Sequence, residues 1–192
     1  MTSPVSVEID RPPAFKREHV FLRIVLLVVV GWVGHPWGLL WLGLPVVAAI
    51  LVSQKGGRRY LDESGPAVIR VLSWILDLAA YLALLTDELP GGGRHAVRFR
   101  VQRSGSPTLG SALFRILWAI PSLIVLAILS FVGAIVWFFA AIRVLADERY
   151  PESSWRFLAG LVRWEAHLLA YLASLVDDYP PFTLATGSVS PA

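Results

Sequence analysis

A chain that repeats itself must fold as the repeat allows, and this one repeats at a nearly fixed offset. Arg59-Tyr60 and the run WILDLAAYLALLTDELP, beginning at Trp74, return ninety positions later as Arg149-Tyr150 and WEAHLLAYLASLVDDYP, beginning at Trp164. Upstream, VSVEIDR from Val5 and the step Leu22-Arg23-Ile24 return ninety-two positions later as VRFRVQR from Val97 and Phe114-Arg115-Ile116. Self-similarity at a fixed period governs architecture, so the expected building block is a unit of about ninety residues. Two tandem units are predicted, residues 1–90 and 91–184, with a disordered tail over 185–192. Gly91-Gly92-Gly93 reads as the flexible joint between them.

The composition places the chain in a membrane. It is 56% hydrophobic and 16% charged, with a mean hydropathy of +0.63, whereas a soluble domain is roughly 45–50% apolar and about 25% charged. Cysteine is absent, which excludes disulfides, thiolate metal sites and thiol catalysis. The first nineteen residues mix both signs of charge, with Glu8, Asp10 and Glu18 among them, and no small-residue cleavage site follows. The first apolar run therefore reads as a retained anchor and not as a cleaved signal. The formal net charge of +3 is explained by membrane topology, and no nucleic acid is expected as a partner.

Residues 24–54 and 116–142 contain no Lys, Arg, Asp or Glu. A bilayer core of about 30 Å takes about 20 helical residues, so each block with its flanks is too long for one crossing and predicts a helical hairpin. The first hairpin spans 19–53 with its turn at Gly34-His35-Pro36, and the second spans 111–146 with its turn near 130–133. Hairpins that re-enter without crossing are the alternative. Pro45 and Pro121 should kink their helices. All the charges lie outside the two tips, which by the positive-inside rule puts both termini and the central segment in the cytoplasm of a multi-pass protein. Trp32, Trp37 and Trp41 fit an aromatic belt or helix packing.

After each hairpin comes an apolar stretch with charges inside it, 66–86 and 152–176. Arg156, Gly160, Arg163, His167 and Ser174 form one helical stripe, with Arg70, Ser73 and Asp77 as its counterpart. The pattern predicts amphipathic helices lying in the cytoplasmic interface or covering the hairpin ends, their stripes facing water, with further crossings as the alternative. Trp74, Trp155 and Trp164 suit the headgroup level. Glu165 projects from the apolar side, either as an intramembrane carboxylate paired with Arg143 or Arg115, or as a rim residue at the headgroups. Asp77 and His167 occupy equivalent positions, and a proton relay through them is weighed against plain solvation of the stripe.

Val5, Val7 and Ile9 alternate with polar residues, as do Val97, Phe99 and Val101. Period two predicts one strand per unit, and the acidic outer face of the first against the basic outer face of the second predicts that they pair antiparallel. Asp87-Glu88 and Asp177-Asp178 close the third helices, where carboxylates oppose the helix dipole and need cations. Arg58, Arg59, Arg149 and the strand arginines are the expected partners, in structural pairing and not as a divalent-cation site. The fold class is thus an all-α membrane protein of two tandem repeats. Each repeat holds a short strand, a transmembrane hairpin and an amphipathic interfacial helix, with four transmembrane helices in all.

The second half resembles a bacterial membrane family known as domain of unknown function 4389. The residues that carry it are Val97-Arg98-Phe99, Ala119-Ile120-Pro121, Arg149-Tyr150-Pro151, Arg163-Trp164, Ala170-Tyr171 and the run Asp177-Asp178-Tyr179-Pro180-Pro181-Phe182. That family often has His where this chain has Ser122 and Arg where it has His167. The first half keeps Arg59-Tyr60, Trp74, Tyr81 and Asp87, but Leu89-Pro90 replaces the family's ending, as in a diverged copy. The resemblance implies a bacterial inner-membrane location and a hairpin layout, and no reaction.

Neither a nucleophile elbow, a phosphate-cradling glycine loop nor paired histidines at metal spacing occurs. No enzymatic activity and no cofactor are expected. The function predicted is a scaffold or accessory protein that binds a protein partner or anionic lipid at its cytoplasmic face, with homo-oligomers allowed. A small transporter or channel component formed by oligomerisation, and a lipid-modifying enzyme using Glu165, His167 and Asp177, are the alternatives. Arg59, Asp77, Asp87, Arg149, Arg163, Glu165, His167, Asp177 and Asp178 are the candidates for interaction or polar pairing.

Overall fold

A computed structural model describes residues 4–12, 15–33, 35–91 and 96–184, with the side chains of 30–39 left aside. The predicted tail, Gly34 of the expected turn, most of the glycine joint and the side chains of Trp32 and Trp37 fall outside that set. The described chain is mostly helical. Strand β1 (Val5–Ile9) precedes α1 (Arg17–Val33), α2 (His35–Lys55), a short α3 (Gly57–Arg59), a π turn (Tyr60–Ser64) and α4 (Gly65–Leu82). Strand β2 (Val97–Val101) then leads to α5 (Leu109–Asp147) and α6 (Glu152–Leu172).

The predicted strand pairing is present. β1 and β2 run antiparallel with Val7 opposite Phe99, and Glu8 opposite Arg98. The register is centred on a residue and its own counterpart ninety-two positions on. Val5, Val7, Ile9, Val97 and Phe99 are buried beneath the sheet, while Glu8, Asp10, Arg98 and Arg100 are exposed above it. Arg98 reaches Glu8 at 3.6 Å and Asp10 at 2.5 Å across the ladder.

The second hairpin does not form. α5 is one helix of 39 residues, about 58 Å at 1.5 Å per residue. Its start is fixed by a capping box in which Thr108 Oγ1 accepts from Ser111 N–H and Ser111 Oγ accepts from Thr108 N–H. The glycine expected in a turn, Gly133, is instead a point of close approach. A Cβ there would stand 2.8 Å from Leu161 Cδ1 of α6, so the missing side chain serves packing and the helix continues. In the first half, α1 and α2 have the expected bounds but touch each other little, and α2 packs chiefly along α5. Together with Gly34 they occupy the positions that correspond to α5, ninety-two residues earlier. The expectation of four crossings in two hairpins is therefore replaced by a long helix in the second half and its interrupted equivalent in the first.

The third helices end earlier than predicted, at Leu82 and Leu172, because the chain turns left-handed at Leu84 (φ 62°) and Ser174 (φ 54°). Only part of each polar stripe faces water: Arg70 and Arg156 are exposed, whereas Asp77, Gly160 and Ser174 are buried. Gly160 is covered by Leu184, Ser174 is fully buried, and Arg163 Nε donates to Val7 O at 3.3 Å under the sheet. Trp155 and Trp164 are buried as well, the first donating from Nε1 to Leu85 O and the second edge-on to Phe182, whereas Trp74 is exposed.

Three layers result: the sheet packs on α4 and α6, and those helices pack on α1, α2 and α5. Among the described residues two helices are long and apolar enough to cross a membrane, residues 57–82 and α5. Half of the first one's apolar stretch is buried inside the protein, as against 17% of that of α5. Phe114, Leu117, Trp118, Ile124, Phe131 and Phe138 of α5 lie more than half exposed. Exposed apolar surface on that scale marks contact with lipid or another protein.

The register predicts a cross-link. Asp10 N–H donates to Ala96 O and Gln102 N–H to Pro4 O. By alternation this makes Val7 and Phe99 a non-hydrogen-bonded pair with Cα atoms about 4.5 Å apart. In the cysteine-free chain, Val7→Cys with Phe99→Cys should form a disulfide on mild oxidation, seen as a mobility shift lost on reduction. Val7→Cys with Val101→Cys should not.

Candidate functional site

The most densely bonded polar groups are two buried arginines, each set against the end of a third helix. A helix leaves its last four carbonyls without intrahelical partners and carries a partial negative charge there, so a cation is favoured at that point. Arg23 is fully buried. Its Nε donates to Tyr81 O at 2.7 Å, its Nη2 donates to Thr86 O, and Nη2 meets Asp87 Oδ1 at 2.7 Å. Its guanidinium stacks 4.5 Å from the Tyr81 ring centroid.

The same contacts recur in the second half. Arg115 Nη1 donates to Tyr171 O at 2.8 Å and to Val176 O, Nη2 pairs with Asp177 Oδ1, and the guanidinium lies 4.7 Å from the Tyr171 ring centroid. Arg23 and Arg115 stand ninety-two positions apart, and Tyr81 and Tyr171, like Asp87 and Asp177, stand ninety apart. The carboxylates' partners are thus Arg23 and Arg115, not Arg58, Arg59, Arg149 or the strand arginines. Both arginines lie within the repeat, at Leu22-Arg23-Ile24 and Phe114-Arg115-Ile116, and the one partner expected for Arg115 from sequence is Glu165.

The halves also reach into one another. Arg11 Nη2 donates to Tyr150 O at 2.8 Å, and its counterpart Arg103 donates from Nη1 to Leu61 O. Tyr60 donates its hydroxyl to Ala173 O at 2.5 Å, whereas the equivalent Tyr150 hydroxyl is buried without a partner among the described residues. Burial pushes Tyr150 well above its ordinary pKa, opposed in smaller measure by Arg23 and Arg11. An open cleft of about 460 Å³ lies here, lined by Arg11, Pro12, Phe15, Glu148, Arg149 and Tyr150. Phe15 stacks on Tyr150 at 5.0 Å, and the one carboxylate of the cleft, Glu148, is paired with Arg17 at 3.0 Å. Arg149 is exposed and has no acidic partner among the described residues.

The remaining candidates are scattered. Asp77 is buried, not water-facing, and accepts from Val97 N–H at 3.0 Å, which anchors the start of β2. His167 is half-buried, its Nδ1 2.8 Å from Arg163 O on the preceding turn. Asp77 and His167 thus each hold backbone. Arg59 and Asp178 are exposed. Glu165 is not paired with either predicted arginine, since Arg115 holds Asp177 and Arg143 lies 3.8 Å from Asp147. Burial pushes its carboxyl up to about 7 from the usual 4.5. Among the described residues no three His, Asp or Glu side chains converge as a metal site would require.

An aromatic cluster seals the second arginine. Tyr179 lies edge-on to Tyr171 at 5.5 Å and beside Phe182 at 5.7 Å, and its hydroxyl is 2.6 Å from Ser122 Oγ. These residues fall within 110–183, which match the model of a family described as a domain of unknown function, DUF4389. No curated protein and no solved structure matches the chain.

Two outcomes follow. Removing the arginine strands buried carbonyls and a carboxylate, so Arg115→Ala should lower unfolding stability in detergent by about 3–5 kcal/mol. Asp177→Asn, at a half-exposed position, should do so by roughly 1 kcal/mol. For Glu165 the folded pKa is raised, so the folded state favours the protonated form. Stability should be highest below about 4.5 and fall as pH rises to about 7. Denaturation midpoints across that range should show the slope, and Glu165→Gln should flatten it.

Proposed function

We propose that the chain is a scaffold or accessory protein of the bacterial cytoplasmic membrane. It is built of two tandem units, with both chain ends on the cytoplasmic side, and gathers anionic phospholipid headgroups or a protein partner there. The observation that carries this reading is the cleft of Arg11 and Arg149. It presents two guanidiniums, has its carboxylate already neutralised by Arg17, and lies just beyond an apolar helix whose surface is largely exposed. Guanidinium recognises phosphate oxygens in a bidentate fork, and basic groups near a membrane attract anionic lipid.

The duplication is supported by the recurrence of the arginine contacts and by the strand register, since a pair centred on a residue and its own counterpart is what a two-fold axis produces. Binding in place of catalysis is supported by how the buried arginines, Asp77 and the carboxylates beside them are used. Arg23, Arg115, Asp77, Asp87 and Asp177 each hold backbone or one another.

The test is flotation of the purified chain with vesicles of phosphatidylcholine alone and with added phosphatidylglycerol. Binding should favour the anionic vesicles. Each arginine near the surface contributes about 1 kcal/mol, so Arg149→Ala should weaken binding roughly fivefold, while Arg98→Ala on the sheet's outer face should not. A chain that stays soluble without detergent and floats with neither vesicle would overturn the proposal. Flotation with both vesicles alike, together with a stoichiometric protein captured through the Arg149 cleft, would assign that cleft to the protein partner.

A further inference from the structure

We infer that the layer formed by α1, α2 and α5 lies in the plane of the membrane, sunk into one leaflet, and that α5 does not cross. The inference rests on the membrane reading above and concerns how the molecule sits in the bilayer.

The argument starts from what lies alongside α5. Its contacts with α6 run lengthwise, from Arg115 at Tyr171 O to Gly133 against Leu158 and Leu161. The sheet lies lengthwise on the opposite side of α6. The end of β1 is tied to Tyr150 just before α6 through Arg11, Val7 meets Arg163 in the middle of α6, and Ser104 N–H donates to Leu175 O just past its end. Sheet, α6 and α5 are therefore three parallel storeys, and the centre of the sheet stands level with the middle of α5. Adjacent layers are spaced about 10 Å apart, which puts the sheet's outer face roughly 20 Å to the side of α5.

A crossing α5 would carry that face into the hydrocarbon at mid-depth. Glu8, Asp10 and Arg98 are exposed there, each at least half open, and ionised side chains at the bilayer centre are strongly disfavoured. Rotating the molecule so that α5 lies flat removes the conflict. The charged sheet then faces water, α4 and α6 form the middle, and the exposed apolar face of α5 meets acyl chains to the depth of about 5–10 Å usual for interfacial helices.

The distribution of charge fits the same pose. The uncharged part of α5, residues 116–142, is about 40 Å long at helical rise. Lys55, Arg58 and Arg59 stand near one end of this layer, by the contact of Gly57 with Pro107. Arg17, Arg143 and Arg149 stand at the other, where Arg17 Nη2 donates to Ala146 O. Lys55, Arg17 and Arg143 pair there with Glu63, Glu148 and Asp147, which leaves Arg58, Arg59 and Arg149 to meet anionic headgroups at the two ends of a flat apolar slab.

The chain has no cysteine, so single cysteines report sidedness. Gly110→Cys and Ala146→Cys, both exposed near opposite ends of α5, would be expressed in the full chain and treated with a membrane-impermeant maleimide in inverted vesicles and in spheroplasts. The expected result is that both label in inverted vesicles and neither in spheroplasts. A nitroxide at Phe131→Cys, a site 71% exposed, should then report headgroup-proximal depth. Labelling of the two ends from opposite sides, or a nitroxide at the bilayer centre, would overturn the in-plane pose while leaving the protein in the membrane. Failure of the unmodified chain to fractionate with membranes would overturn the membrane reading itself, and this inference with it.

Discussion

The fold depends on an arginine that ends a helix. Arg23 and Arg115 each donate to a carbonyl at the end of the third helix of their own half, sharing Tyr81 O with Leu84 N–H and Tyr171 O with Ser174 N–H, and each holds the carboxylate that follows. One cation thereby meets the helix dipole, the carbonyls of the closing turn and a carboxylate at once. It could not do so if the helices ran on to Thr86 and Val176. The left-handed residues Leu84 and Ser174 turn the chain so that Thr86 O and Val176 O face the guanidinium. Leu84 and Ser174 are not glycines, and the strain of their φ is sustained by what the turn closes upon.

Everything else is arranged around these two closures. The long helices carry the arginines, so the third helices must lie against them, and the buried faces of α4 and α6 follow. The sheet then covers the other side of α6, with Arg163 reaching up to Val7 O and Asp77 of α4 reaching to Val97 N–H. Asp77 and Arg163, read from sequence as part of a water-facing stripe, are instead the mortar between two layers.

The antiparallel strand pair was legible, because period-two alternation with opposite outer charges favours pairing of these two segments. The residues that return along the chain were legible too. What sequence could not give was the use of the apolar blocks. A block too long for one crossing and containing glycine reads as a hairpin, yet Gly133 is spared a side chain to admit Leu161, and nothing local to 130–133 separates those roles. The arginine partners of Asp87 and Asp177 were missed for a related reason. Arg23 and Arg115 lie more than sixty positions from their acids, next to uninterrupted apolar sequence, and nothing local links either arginine to its acid. Glu165, by contrast, was singled out as the residue that breaks its helix's pattern, and its raised pKa has the same origin.

The exchange of Arg11 onto Tyr150 and of Arg103 onto Leu61 carries a consequence for assembly. On the proposed duplication, each unit leaves its tyrosine-bearing turn to be completed by the other, as the two subunits of an intertwined dimer do. A single unit would therefore find its missing contacts only in a second copy of itself. Joining two units in one chain fixes their stoichiometry and frees them to diverge. The divergence is visible at the turns themselves, where the Tyr60 hydroxyl is bonded and the Tyr150 hydroxyl, beside the open cleft, is not.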